Sequence, residues 1–90
     1  MDELLSEAFY VSAERRVLRR LLDVSEAYGG AFPGVAVPLT QEQLAALAGT
    51  SRATVNAVLS AERQRGTLSL NRGRTTLEDP SALARRAGVG

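Results

Sequence analysis

The chain contains no cysteine and no histidine in its 90 residues. Disulfides and thiolate chemistry are therefore excluded, and the commonest general base and metal ligand is missing. Lysine is absent too, so all eleven basic residues are arginines. Arginine presents a planar fork of five donors suited to phosphates and guanine edges, although all-arginine usage also arises as a compositional habit of a genome. No apolar run approaches the roughly 18 residues that span a membrane. The start, Met1-Asp2-Glu3, is acidic and lacks the charged-then-apolar layout of a signal peptide. A cytoplasmic setting is expected. Carboxylates such as Glu42 and Glu62 occur, but without a carboxylate pair, metal-ligand cluster or activated nucleophile. An enzyme is not expected, and no cofactor is implied.

Ninety residues make one small domain, and a chain of this size buries only about 60–65% of its unfolded surface. A hydrophobic fraction of 44% and a charged fraction of 23% fit a globular protein rather than a disordered one. The net charge of +1 conceals an asymmetry. Residues 1–50 carry four arginines against seven carboxylates, a net −3, and residues 51–90 carry seven against three, a net +4. The basic half acquires meaning only where its arginines share a surface.

Along the chain, Leu4, Leu5, Ala8 and Phe9 form a short helical stripe. Ser12 then has the chemistry of an N-cap for a second helix, with Glu14 in its first turn. Val17, Leu18, Leu21, Leu22, Ser25 and Tyr28 define one buried face, which leaves Arg15, Arg16, Arg19 and Arg20 on a solvated one. Gly29, Gly30, Pro33 and Gly34 make a loop. Residues 35–39 follow as a short strand, kept to a sheet edge because Pro38 lacks a backbone donor.

Thr40 and Gln43 form a capping box. The helix behind it carries Leu44, Ala45, Leu47 and Ala48 in apolar spacing and stops at Gly49. Thr50 or Ser51 caps another helix at once, with Val55, Val58 and Leu59 buried and Arg52, Asn56, Ser60 and Arg63 opposite. So short a connection is that of a helix-turn-helix, whose second helix enters the DNA major groove. Glu62 falls on the buried stripe, where an apolar residue is expected. It lies at the domain edge, pairs with a nearby arginine, or faces another domain. Strands over 67–70 and 75–77 bracket Asn71-Arg72-Gly73-Arg74, a hairpin with a cationic tip. Asp79-Pro80 opens a last helix. The expected fold is mainly α with a small antiparallel β wing: a winged helix-turn-helix with a three-helix core plus a β-hairpin.

The stretch from Pro38 to Asn56, PLTQEQLAALAGTSRATVN, strongly resembles the C-terminal DNA-binding domain of Crp/Fnr-family transcription regulators. The similarity continues through Arg65-Gly66-Thr67-Leu68 and the wing Arg72-Gly73-Arg74, and back over Tyr10 to Tyr28. It implies that residues 1–11 are the tail of a dimerisation or linker helix and 12–90 the winged domain. Family members carry a sensor domain ahead of such a helix, so an excised DNA-binding domain is expected rather than a natural protein that has lost its sensor.

The resemblance places base contact on Arg52, the arginine of Ser-Arg-x-Thr-Val. Family members reading the best-known site have a glutamate and a second arginine where this chain has Ala53 and Ala57. Sequence preference does not transfer, although both alanines suit a thymine methyl. Ser51, Thr54 and Asn56 match positions near DNA, while Ser51 also suits a cap and Thr54 helix packing. Thr40 and Gln41 open the supporting helix, where Thr40 also serves as cap. Ser60 lies on the exposed side of the reading helix, and Arg72 and Arg74 match the wing's phosphate contacts.

The expected function is half-site reading on double-stranded DNA by helix 51–65, with wing contacts from 71–74. Homodimerisation of the full-length regulator and contact with RNA polymerase follow from the resemblance, while this fragment alone is compatible with a monomer. The alternative is a winged helix used for protein–protein contact without DNA.

Overall fold

The computed structural model describes residues 2–88, with side chains from Tyr10 onward. Helix α1 spans Asp2–Ser25 and ends in a 3-10 turn over Glu26–Tyr28. Strand β1 (Ala36–Val37), helix α2 (Gln41–Ala48) and helix α3 (Arg52–Gln64) follow. A hairpin of β2 (Leu68–Asn71) and β3 (Arg74–Leu77) leads to α4 (Pro80–Ala87). The sheet is antiparallel with order β1-β3-β2. The expected hairpin is thus one part of a three-stranded sheet, with β1 on an edge and Pro38 just beyond it.

One expectation at the start is corrected. Ser12 caps nothing, because α1 runs unbroken through it. No glycine or proline interrupts residues 2–25, so a start signal had no stop signal before it. The Ser12 hydroxyl instead accepts from Arg16 Nη1 at 2.8 Å. The side chains of Leu4, Leu5, Ala8 and Phe9 lie outside the described residues.

Each helix buries one stripe. Val17, Leu18 and Leu21 from α1 meet Leu44 from α2, Val55, Val58 and Leu59 from α3, and Leu83 from α4, all at most 1% exposed. Val37, Leu68 and Leu77 close the core from the sheet. Burying each such side chain contributes roughly 1.5–3 kcal/mol relative to exposure. Two expected members are exposed, Tyr28 at 51% and Leu47 at 48%. Tyr28 sits in the 3-10 turn, whose tighter winding carries it off the α-helical stripe. Leu47 lies about 60° from Leu44 around the helix, on the side away from Ala45 and Ala48, and α2 turns only Leu44, Ala45 and Ala48 inward.

The arginines of α1 are not merely solvated. Arg16 Nε donates to the Ala48 carbonyl and Arg19 Nε to that of Ala87, both at 2.9 Å. Those carbonyls end α2 and α4, where backbone acceptors lack helical partners and a cation complements the macrodipole.

Glu62 is fully buried, and of its three expected explanations the structure shows the pairing. Arg86 of α4 reaches its carboxylate through Nε and Nη2, Arg65 donates at 2.9 Å, and the Thr67 hydroxyl donates at 2.7 Å. Burial pushes the Glu62 carboxyl up, but hydrogen bonds from Arg86 and Thr67 and the charges of Arg86 and Arg65 together hold it below the ordinary glutamate value. The cluster ties the end of α3 to the hairpin and to α4. Among the described residues no buried side-chain donor or acceptor lacks a partner.

A carboxyl whose folded pKa lies below its unfolded value stabilises fully above the unfolded value, and this is lost as pH falls through the folded one. Glu62→Ala is expected to cost about 3 kcal/mol near neutrality, the lower end for breaking a buried pair. In urea unfolding, the gap between the wild type and Glu62→Gln should narrow as pH drops below the ordinary carboxylate range. A gap that stays constant into strong acid would contradict this account.

Candidate nucleic-acid interface

The geometry starts at Thr40. Its hydroxyl accepts from the Gln43 amide at 3.1 Å, and its own amide donates to Gln43 Oε1 at 2.9 Å. This box starts α2 at a defined residue and leaves the amides of its first turn facing outward. At the other end Gly49 takes φ +66, and the amides of Gly49 and Thr50 both return to the Ala45 carbonyl. Ser51 then caps α3 by accepting from the Thr54 amide at 3.1 Å. Three residues therefore separate α2 from α3, as a helix-turn-helix requires.

Two side-chain links cross between the helices. Gln41 Nε2 donates to Asn56 Oδ1 at 3.3 Å, and Arg52 Nη1 lies 3.7 Å from Glu42 Oε1. The hairpin completes the frame. Asn71 pairs with Arg74, so its tip is only Arg72 and Gly73, with Gly73 at φ +69. A cleft of about 390 Å³ opens between the start of α2, the start of α3 and this hairpin. Thr40, Gln41, Glu42, Arg52, Gly73 and Arg74 are on its walls.

Residues 15–86 match the family described as the Crp-like helix-turn-helix domain. The chain belongs to that family. It is 35% identical over 86 residues to the CRP-like cAMP-activated global transcriptional regulator of Mycobacterium tuberculosis, an overlap of 92% of this chain and 38% of that protein. The catabolite activator protein of Thermus thermophilus superposes with a TM-score of 0.84 at 31% identity, over 99% of this chain and 40% of the other. A second protein of Thermus thermophilus, a transcriptional regulator of the CRP family, gives 0.75 at 28% identity, over 84% and 40%. The chain thus spans about two fifths of the length of these relatives, which are transcription regulators and not enzymes.

Of the eleven expected site residues of this Crp-like domain, Thr40, Gln41, Arg52 and Arg74 share the cleft. Ala53, Asn56 and Ala57 are exposed on the outer face of α3, and Arg72 is exposed at the hairpin tip. Ser60 is half-buried further along α3. Ser51 and Thr54 are occupied locally, their hydroxyls 3.0 Å apart and the first capping the helix. Thr40 likewise spends its hydroxyl on the cap. The cationic half is thinned as well, since Arg65 and Arg86 turn to Glu62. Glu42 and Leu70, not among the expected site residues, line the same cleft, as does Asn71 at the start of the expected wing. In the sequence Glu42 shows only as a carboxylate without a catalytic pair; its ion-pair partner Arg52 lies ten positions on, across the Gly49 turn.

A Cβ built on Gly49 meets nothing within 4 Å, so Gly49→Ala tests the backbone alone. With φ at +66, it should lose about 1 kcal/mol after the unfolded-state entropy gain is offset. Denaturant titration checks this, and an unchanged midpoint would refute it.

Proposed function

We propose that this chain is the DNA-reading domain of a transcription regulator. It reads one half-site of double-stranded DNA in the major groove through residues 51–65, and the wing at 71–74 holds flanking phosphates. The observation that carries the reading is the cleft where Arg52, at the first position of α3, meets Arg74 of the hairpin and the exposed start of α2. An α-helix is the element that fits a major groove, and its N-terminal residues contact base edges.

Arg52 is 69% exposed in its side chain, and its fork suits the O6 and N7 of guanine. Asn56 accepts from Gln41 through Oδ1, which leaves its amide hydrogens to donate to a base edge. Ala53 and Ala57 offer methyl surface to thymine, and Ser60 offers a hydroxyl to the backbone. Ser51, Thr54 and Thr40 act mainly by placing the two helix starts, whose amides approach phosphates. Arg72 and Arg74 supply contacts that carry no sequence information. In the full-length regulator, residues 1–11 extend into a dimerisation helix, two copies read a two-fold site, and RNA polymerase is the downstream partner. A cytoplasmic setting goes with this role. Among the described residues no helix is long and apolar enough to cross a membrane.

Arg52→Ala should narrow the preference among duplexes, by about 1–3 kcal/mol at one base position. Arg72→Ala or Arg74→Ala should weaken all duplexes alike and flatten the log–log salt slope by about 0.9 each. Fluorescence anisotropy with a salt titration measures both. Absence of binding to any duplex at low salt would favour the protein-contact alternative.

A further inference from the structure

Glu42 is out of place on a surface meant for DNA. Its side chain is 77% exposed on a wall of the cleft, where a carboxylate repels phosphate. Among the described residues its ion-pair partner is Arg52. We infer that Glu42 is a specificity-determining residue that holds the Arg52 guanidinium for guanine and against phosphate. The inference rests on the reading of Arg52 as the base-contacting residue.

The donor count supports it. A guanidinium has five N–H groups, and a bidentate contact with guanine uses two of them. Donors remain for Glu42, so on a guanine the ion pair survives and the carboxylate stays neutralised. On a non-cognate duplex Arg52 gains most by swinging to a phosphate. A phosphate contact leaves donors free as well, so the difference is one of position. The swing carries the guanidinium away from the start of α2 and leaves the Glu42 carboxylate bare beside the polyanion. The carboxylate therefore costs random DNA more than cognate DNA, which is how a repulsive element confers specificity. Gln41, bonded to Asn56 one position earlier, braces the same pair of helix ends. A purely structural role for Glu42, as an acid complementing the start of α2, would alter folding stability without altering the choice among duplexes.

The test uses the 90-residue chain, a duplex recovered by selection from a random library, and a random duplex pool. Dissociation constants are measured for the wild type, Glu42→Gln, Arg52→Ala and the double variant, with thermal midpoints as a folding check. Glu42→Gln should bind the random pool about three- to fivefold more tightly, the upper part of the range of an exposed ion pair. It should bind the selected duplex nearly as before, so discrimination falls by a similar factor. In the Arg52→Ala background the same change should leave discrimination unaltered. If Glu42→Gln leaves discrimination intact while Arg52→Ala reduces it, the role of Glu42 is overturned and that of Arg52 stands. If Arg52→Ala also leaves discrimination intact, the reading of Arg52 falls, and this inference with it.

Discussion

Between α2 and α3 the chain has three residues in which to reverse, and one of them must take a left-handed backbone. Gly49 does so at φ +66, and Ser51 can then cap α3 only two positions later. Everything on the cleft depends on that reversal. It brings Arg52 to within 3.7 Å of Glu42 and Asn56 to within 3.3 Å of Gln41. Arg16 secures the turn from behind by donating to the Ala48 carbonyl, the last of α2. A longer connection would let the two helix starts drift apart, because neither cross-link is strong enough alone to hold them.

The far end of α3 is held by a different kind of force. Glu62 brings a negative charge to the inner edge of the domain, and Arg86, Arg65 and Thr67 satisfy it. An apolar residue there would pack as well or better, since buried ion pairs seldom add net stability over a hydrophobic fit. The pair instead imposes directionality. An arginine fork and a carboxylate meet in few geometries, which limits how α4 and the hairpin can sit against α3. The wing carries Arg72 and Arg74, so the cluster also limits where those two arginines can be presented. It engages Arg65 and Arg86, while Arg52, Arg63, Arg72 and Arg74 are exposed on α3 and the hairpin.

Membership of the Crp-like helix-turn-helix family places these local devices in a larger setting. The chain spans 38% of the regulator from Mycobacterium tuberculosis to which it is similar, and the rest of that relative lies outside the matched stretch. The matched stretch holds both helix starts and the wing. The near-neutral total conceals a local excess of positive charge over residues 51–90. The acidic residues of the first half sit mostly on α1 and in the turn after it, not on α3 or the hairpin tip.

Much of this was legible in the residues alone, for one physical reason: caps, turns and apolar stripes act over a few positions. Thr40 with Gln43, Gly49, Ser51 and Asp79-Pro80 mark helix ends within one turn of chain, and each lies where it was expected. The family likeness and the exposed face of α3 follow from the same local patterns. The misread positions have separate causes: α1 runs unbroken through Ser12, a 3-10 turn carries Tyr28 off its stripe, and Leu47 falls outside the inward arc of a short helix. Only the tertiary structure decided the pairing of Glu42 with Arg52, of Glu62 with Arg86, and of Arg16 and Arg19 with two helix ends. Charges find partners by distance in space, and those distances exist only once the core has closed.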